Sequence, residues 1–125
     1  ADQIFCLGKK DHDFVLNLVQ NSWLTVVPSL IFEGFPRLAV ESISLGIPII
    51  GTKVGGVGEA IGTAGILVEP GDVKELSQAI LRVCLGDKFH QKLKAETLVQ
   101  AAKFKPEKIA KKILKVYGRV LKQWT

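Results

Sequence analysis

Two glutamates lie eight residues apart around a predicted helix start. Glu33 precedes a Gly-Phe-Pro turn, and Glu41 follows about one helical turn later. Pro36 suits the first helical position, and the free amides and positive dipole end of a helix start bind anions, phosphate in particular. Carboxylates repel phosphate but accept paired hydrogen bonds from vicinal hydroxyl groups. This combination predicts a phosphate site flanked by two sugar-binding carboxylates, as a nucleotide sugar requires.

The elements that must position these carboxylates alternate between strands and helices. Apolar runs predict strands at 4–8, 24–29, 47–52 and 64–71. The predicted helices lie at 11–22, 36–46, 72–85, 87–104 and from 106 onward. We therefore predict the α/β class, a Rossmann-like parallel sheet of about four strands with flanking helices and a helical C-terminal tail. Ligands of such sheets bind at the carboxyl edge, where the loop carrying Glu33 emerges.

A longer pattern surrounds the two glutamates. Pro-Ser, Glu-Gly-Phe, a second Glu, a helix ending in Gly, a Pro-containing strand, Gly-Gly and a further Glu occur in this order. The residues are Pro28, Ser29, Glu33, Gly34, Phe35, Glu41, Gly46, Pro48, Gly55, Gly56 and Glu59. The pattern resembles the C-terminal, donor-binding domain of retaining GT-B glycosyltransferases that use nucleotide sugars (glycosyl transferases group 1), and the resemblance runs from Phe5 to about Leu85.

The resemblance implies roles at the donor sugar. Glu33 would be the catalytic residue beside the donor hexose, where it would hold hydroxyl groups and stabilise positive charge as the glycosidic bond breaks. The main chain of Gly34, Phe35 and Pro36 would line the same sugar. Many family members have glycine in place of Pro36, and proline lacks the N–H group that glycine would offer.

The resemblance also implies roles at the nucleotide. The amides of Arg37 and Leu38 would bind the diphosphate, and Glu41 would accept hydrogen bonds from the ribose hydroxyls. The loop around Gly8 and Lys9 would lie near the base. No metal site and no cofactor is expected, because the nucleoside diphosphate sugar is a substrate.

The implied reaction is transfer of a hexose from a nucleoside diphosphate sugar to an acceptor. We expect residues 1–125 to form one partial domain, truncated and inactive alone, because the family's first βα unit and N-terminal domain are not in the sequence. The expected partners are a nucleotide sugar and that N-terminal domain, with no nucleic acid. Two alternatives stay open: a nucleotide-sugar epimerase of GT-B architecture, and a non-catalytic nucleotide-binding or interaction module.

The net charge of +5 is unevenly distributed. Residues 1–86 carry 6 basic and 9 acidic side chains, whereas residues 87–125 carry 11 basic and 3 acidic ones. The tail helix combines these basic residues with an apolar stripe, and we expect Trp124 to anchor it. The stripe predicts packing onto this chain or the N-terminal domain, or peripheral contact with an anionic membrane. The predicted localisation is cytoplasmic, since the sequence shows no signal peptide pattern, with peripheral membrane attachment as the alternative.

The remaining reactive side chains do not form a recognisable motif. Cys6 and Cys84 lack metal-site spacing and are predicted to be buried free thiols, with a single bridge between them as the alternative that stays open. His12 and His90 are isolated in sequence and are expected at the surface. Trp23 precedes a strand and is expected to pack in the core.

Overall fold

A parallel sheet of three strands lies at the centre of the chain in our computed structural model, which describes residues 3–123. In sheet order, the strands are β1 (Thr25–Val27), β2 (Ile49–Thr52) and β3 (Gly65–Val68). Ile50 of the central strand lies opposite Val26 on one side and Ile66 on the other. Every residue of β2 is buried, as expected for a parallel sheet covered on both faces. The predicted α/β class is confirmed.

The strand predicted at 4–8 is wrong. Residues 4–8 adopt no strand, and Ile4 and Phe5 are 80% and 79% exposed. An apolar run becomes a strand only where a neighbouring strand pairs with its amides and carbonyls. None of the three strands among residues 3–123 pairs with this run.

Helices cover both faces of the sheet. Within residues 3–123 they are α1 (His12–Gln20), α2 (Arg37–Ser44), α3 (Val57–Ile61), α4 (Val73–Leu85), α5 (Asp87–Ala101) and α6 (Pro106–Gln123). The short α3 was not predicted, because its five residues include a glycine and carry little periodic signal. Asp72, where the helix predicted at 72–85 begins, caps α4 by accepting a hydrogen bond from the Glu75 amide at 2.8 Å.

The core consists of two apolar layers, one on each face of the sheet. Ile43 of α2 and Ile61 of α3 pack with Ile49 on one face. Val83 of α4 packs with Ile50 on the other face, together with residues of α5. Successive side chains of a strand point to opposite faces, so β2 contributes to both layers. The two layers hold the carboxyl ends of β1 and β2 in place at the edge where the candidate site lies.

The tail forms α6, as predicted, but none of its described side chains is buried. Trp124, expected to anchor this helix, lies outside the described residues. No helix within residues 3–123 is long and apolar enough to cross a membrane.

Several side-chain environments differ from the predictions. Trp23 is not in the core: it is half-exposed and stacks on His90, with ring centroids 3.9 Å apart. His90, expected at the surface, is buried beneath Trp23, and its Nε2 lies 2.9 Å from the Trp23 carbonyl oxygen. Cys6 and Cys84 are free but exposed rather than buried. Cys6 lies in the run that forms no strand, and Cys84 lies on the outer side of α4.

Candidate functional site

The loop that leaves β1 carries Glu33 at the carboxyl edge of the sheet. The Ser29 hydroxyl donates a hydrogen bond of 2.6 Å to Oε2 of Glu33. The Thr52 hydroxyl, at the end of β2, donates a hydrogen bond of 2.6 Å to the Ser29 carbonyl oxygen. Glu33 is partly exposed, so its carboxylate is both held by the protein and open to a ligand.

The start of α2 offers two unpaired backbone donors. The amides of Ala39 and Val40 bond to the Pro36 carbonyl oxygen at 3.2 and 3.4 Å. The amides of Arg37 and Leu38 have no acceptor among residues 3–123, and no side chain caps this helix. These are the two amides predicted to bind a diphosphate. An uncapped helix start with free amides is suited to an anion.

Glu41 is the fifth of the eight residues of α2, and it has two hydrogen-bonding neighbours. His12 Nε2 lies 2.9 Å from Glu41 Oε1, and Arg37 Nη2 lies 3.2 Å from the same oxygen. The Glu41 side chain is 23% exposed. His12 is exposed, as predicted, but it is not isolated, because the fold brings α1 against α2. No spacing rule could have paired residues 29 positions apart.

The predicted base-side residues come shortly before His12, the hydrogen-bond partner of Glu41. Gly8 and Lys9 precede His12 by four and three residues, and both are exposed. Gly8 has a φ of +65°, so the chain turns at this point. Their role at a base remains a prediction.

The Gly55-Gly56 turn lies against the loop that carries Glu33. The Gly56 amide donates a hydrogen bond of 2.9 Å to the Glu33 carbonyl oxygen. A Cβ atom would lie 2.0 Å from the Glu33 oxygen if built on Gly55, and 2.1 Å from the Gly34 oxygen if built on Gly56. The absence of side chains here lets the two backbone segments touch.

Two further features border the site. The Lys53 ammonium, directly after β2, bonds to Glu69, and that hydrogen bond holds the pKa of Lys53 above its ordinary value. Phe35 makes an edge contact with Phe104, with ring centroids 5.5 Å apart. Both rings line a cleft of about 740 Å³, whose lining includes neither Glu33 nor Glu41. Among residues 3–123, no three His, Cys, Asp or Glu side chains cluster to hold a metal ion.

Comparison with known proteins identifies the family. The family model described as "Glycosyl transferases group 1" matches residues 1–99. The chain belongs to this family. The match spans the loop of Glu33, the start of α2 and the Gly55-Gly56 turn, and it confirms the family that the sequence pattern suggested.

Relatives and solved structures agree with this assignment. An uncharacterized glycosyltransferase of Methanocaldococcus jannaschii is 34% identical over 113 residues, covering 89% of this chain and 32% of the relative. The sucrose-phosphate synthase of Thermosynechococcus elongatus superposes with a TM-score of 0.83 at 27% identity, over 98% of this chain and 31% of that structure. Anabaena HepE, solved in complex with UDP, gives a TM-score of 0.72 at 25% identity, over 82% and 29% of the chains. This chain thus spans about a third of the length of these proteins.

Proposed function

We propose that this chain forms part of the donor site of an enzyme that transfers a hexose from a nucleoside diphosphate sugar to an acceptor. The observation that carries the proposal is the arrangement at α2: two unpaired amides lie at the helix start, with a carboxylate on either side in sequence. The UDP complex of HepE, a protein of similar fold, supports a nucleotide as the ligand.

The geometry suggests how each group acts. The amides of Arg37 and Leu38, with the positive end of the helix dipole, stabilise the diphosphate, which gains negative charge as it leaves. Glu33 lies in the loop before these amides, so its carboxylate lies on the hexose side, where positive charge develops on the sugar. The main chain of Gly34 to Pro36 lines that sugar, as the family resemblance implies.

Glu41 is proposed to bind the ribose. Its Oε1 accepts from His12 and Arg37, and a carboxylate can accept further bonds through its second oxygen. A vicinal diol can therefore bind while the two neighbours keep the carboxylate in place. The segment at Gly8 and Lys9, just before His12, would then border the base.

The complete activity is proposed for a longer protein, with this chain as one part. The chain spans 32% of the M. jannaschii relative and 31% of the sucrose-phosphate synthase. The acceptor site and further donor-phosphate contacts would come from other parts of such an enzyme. We expect this chain alone to bind the donor weakly and to show no turnover.

α6 is proposed to pack against the N-terminal domain of that longer protein. Its apolar residues Ile109, Ile113, Val116 and Val120 fall within an arc of about 60° on the helix and are 37% to 49% exposed. The opposite side carries lysines and Arg119, so it can remain in contact with water when the apolar side is covered. Peripheral contact with an anionic membrane at the cytoplasmic face is the competing arrangement, since a basic amphipathic helix can also lie on lipid.

Kinetics of the enzyme that contains this domain test the proposed roles. We expect Glu33→Gln to lower kcat more than it raises the donor KM, because the carboxylate acts on the reacting sugar. We expect Glu41→Ala to raise the donor KM by roughly 10- to 150-fold, since the loss of a charge-assisted hydrogen bond costs about 1.5–3 kcal/mol. Glu107→Ala, an exposed glutamate on α6, is the matched control. Wild-type kinetics in both site variants would show that the two carboxylates are structural.

A further inference from the structure

Two hydrogen bonds connect the sheet to the carboxylate of Glu33. Thr52 is the last residue of β2 and is only 2% exposed. Its hydroxyl donates to the Ser29 carbonyl oxygen at 2.6 Å, and the Ser29 hydroxyl donates to Glu33 Oε2 at 2.6 Å. Thr52 is too deeply buried to touch a ligand, so any effect it has on the site must act through Ser29.

The main chain of the same loop is fixed from the same side. The Gly56 amide bonds to the Glu33 carbonyl oxygen at 2.9 Å, and the glycine pair lies directly against the backbone of Glu33 and Gly34. Residues 52–56, from the last residue of β2 onward, thus hold Glu33 twice: directly through its backbone, and by way of Ser29 through its side chain.

Apolar packing does not hold the Glu33 loop in place. The three residues before Glu33 are apolar but 70% to 81% exposed, so they do not anchor the loop in the core. They are Leu30, Ile31 and Phe32. A glutamate in such a loop would otherwise sample several rotamers, and ordering it at the moment of reaction would cost free energy. Hydrogen bonds from a rigid strand order the side chain in advance.

We propose that Thr52 is a positioning residue that, through Ser29, fixes the Glu33 carboxylate in its reactive orientation. This inference rests on the proposed function, since it assigns the orientation of a carboxylate that acts on the donor sugar. It predicts that the Thr52 hydroxyl affects the chemical step more than donor binding.

The test separates the Thr52 hydroxyl from its packing. Thr52→Val keeps the shape but removes the hydroxyl, whereas Thr52→Ser keeps the hydroxyl and loses a methyl group. In the enzyme that contains this domain, we expect Thr52→Val to lower kcat by about 10- to 100-fold with the donor KM within about threefold, because small misplacements of a reacting group reduce rates on this scale. Thr52→Ser should restore kcat to within about threefold. Equal losses in both variants, or a wild-type kcat in Thr52→Val, would overturn the inference.

A second measurement needs no donor and no activity. NMR relaxation of this chain reports the order of the Gly34 and Phe35 amides and of the Glu33 side chain. We expect Thr52→Val and Ser29→Ala to increase motion at Glu33, and Thr52→Ser to leave it unchanged, with a cooperative thermal transition confirming that each variant folds. An unchanged Glu33 in both Thr52→Val and Ser29→Ala would refute the positioning role. A loosened Glu33 supports that role even if Glu33→Gln keeps wild-type kinetics, a result that would count against the proposed function alone.

Discussion

Replacing Gly56 with alanine should displace the loop that carries the proposed catalytic glutamate. The new Cβ would lie 2.1 Å from the Gly34 carbonyl oxygen and 3.3 Å from a ring carbon of Phe35. A carbon and an oxygen need about 3.3 Å, so one of the two segments must move by about 1.2 Å. That movement would also stretch the 2.9 Å bond from the Gly56 amide to the Glu33 carbonyl oxygen.

Both a stability loss and a rate loss follow from this displacement. Overpacking of this kind costs about 1–3 kcal/mol of folding free energy, which thermal unfolding of this chain can measure. A shift of about 1 Å at a reacting group can reduce the rate by about 100-fold, which kinetics of the enzyme containing this domain can measure. The amide resonances of Glu33 and Gly34 should move in the variant even without a donor.

Gly118→Ala is the matched control for this experiment. A Cβ on Gly118 would meet no atom within 4 Å, and the residue lies within α6. Because alanine favours helices over glycine by about 1 kcal/mol, the control should retain or increase stability and keep its kcat. If Gly56→Ala matched this control in stability, amide resonances and rate, the contact between the glycine turn and the glutamate loop would contribute to neither folding nor catalysis.

The other predictions concern the surface. We expect the chain to remain in the supernatant with both neutral and anionic liposomes at low salt, because the apolar side of α6 is proposed to pack against a protein domain. Sedimentation with anionic liposomes only, reversed by high salt, would instead support membrane binding by α6. Cys6 and Cys84 are exposed, so a maleimide should label both thiols in the folded chain, and protection of either until denaturant is added would contradict this.

The strands and long helices could be predicted because their signals are local. Apolar runs bounded by glycine and proline located β1 to β3 within a few residues, and Asp72 located the start of α4. The run at 4–8 carries the same local signal but forms no strand, since strand formation depends on a neighbour that sequence periodicity does not report. The direct sequence signal for α3 was too short to detect.

The candidate site was predictable in its parts but not in its contacts. The types and spacing of Glu33 and Glu41 suggested sugar hydroxyls, and Pro36 suggested a helix start. The partners of the two carboxylates come from elsewhere in the fold: His12 from α1, and Thr52 from the end of β2 by way of Ser29. Such pairings depend on how the elements pack, which no spacing along the chain encodes.

Donor binding at the start of α2 is the central claim, and an amide NMR titration of this chain tests it most directly. UDP-glucose, GDP-mannose and ADP-glucose are suitable probes, and we expect an affinity near millimolar, about 4 kcal/mol, for the preferred donor. We expect saturable shifts at Gly34, Phe35, Arg37, Leu38 and Glu41, and their loss in Glu41→Ala but not in Glu107→Ala. Shifts confined to the cleft beside Phe104, or none with any of the three donors, would contradict it.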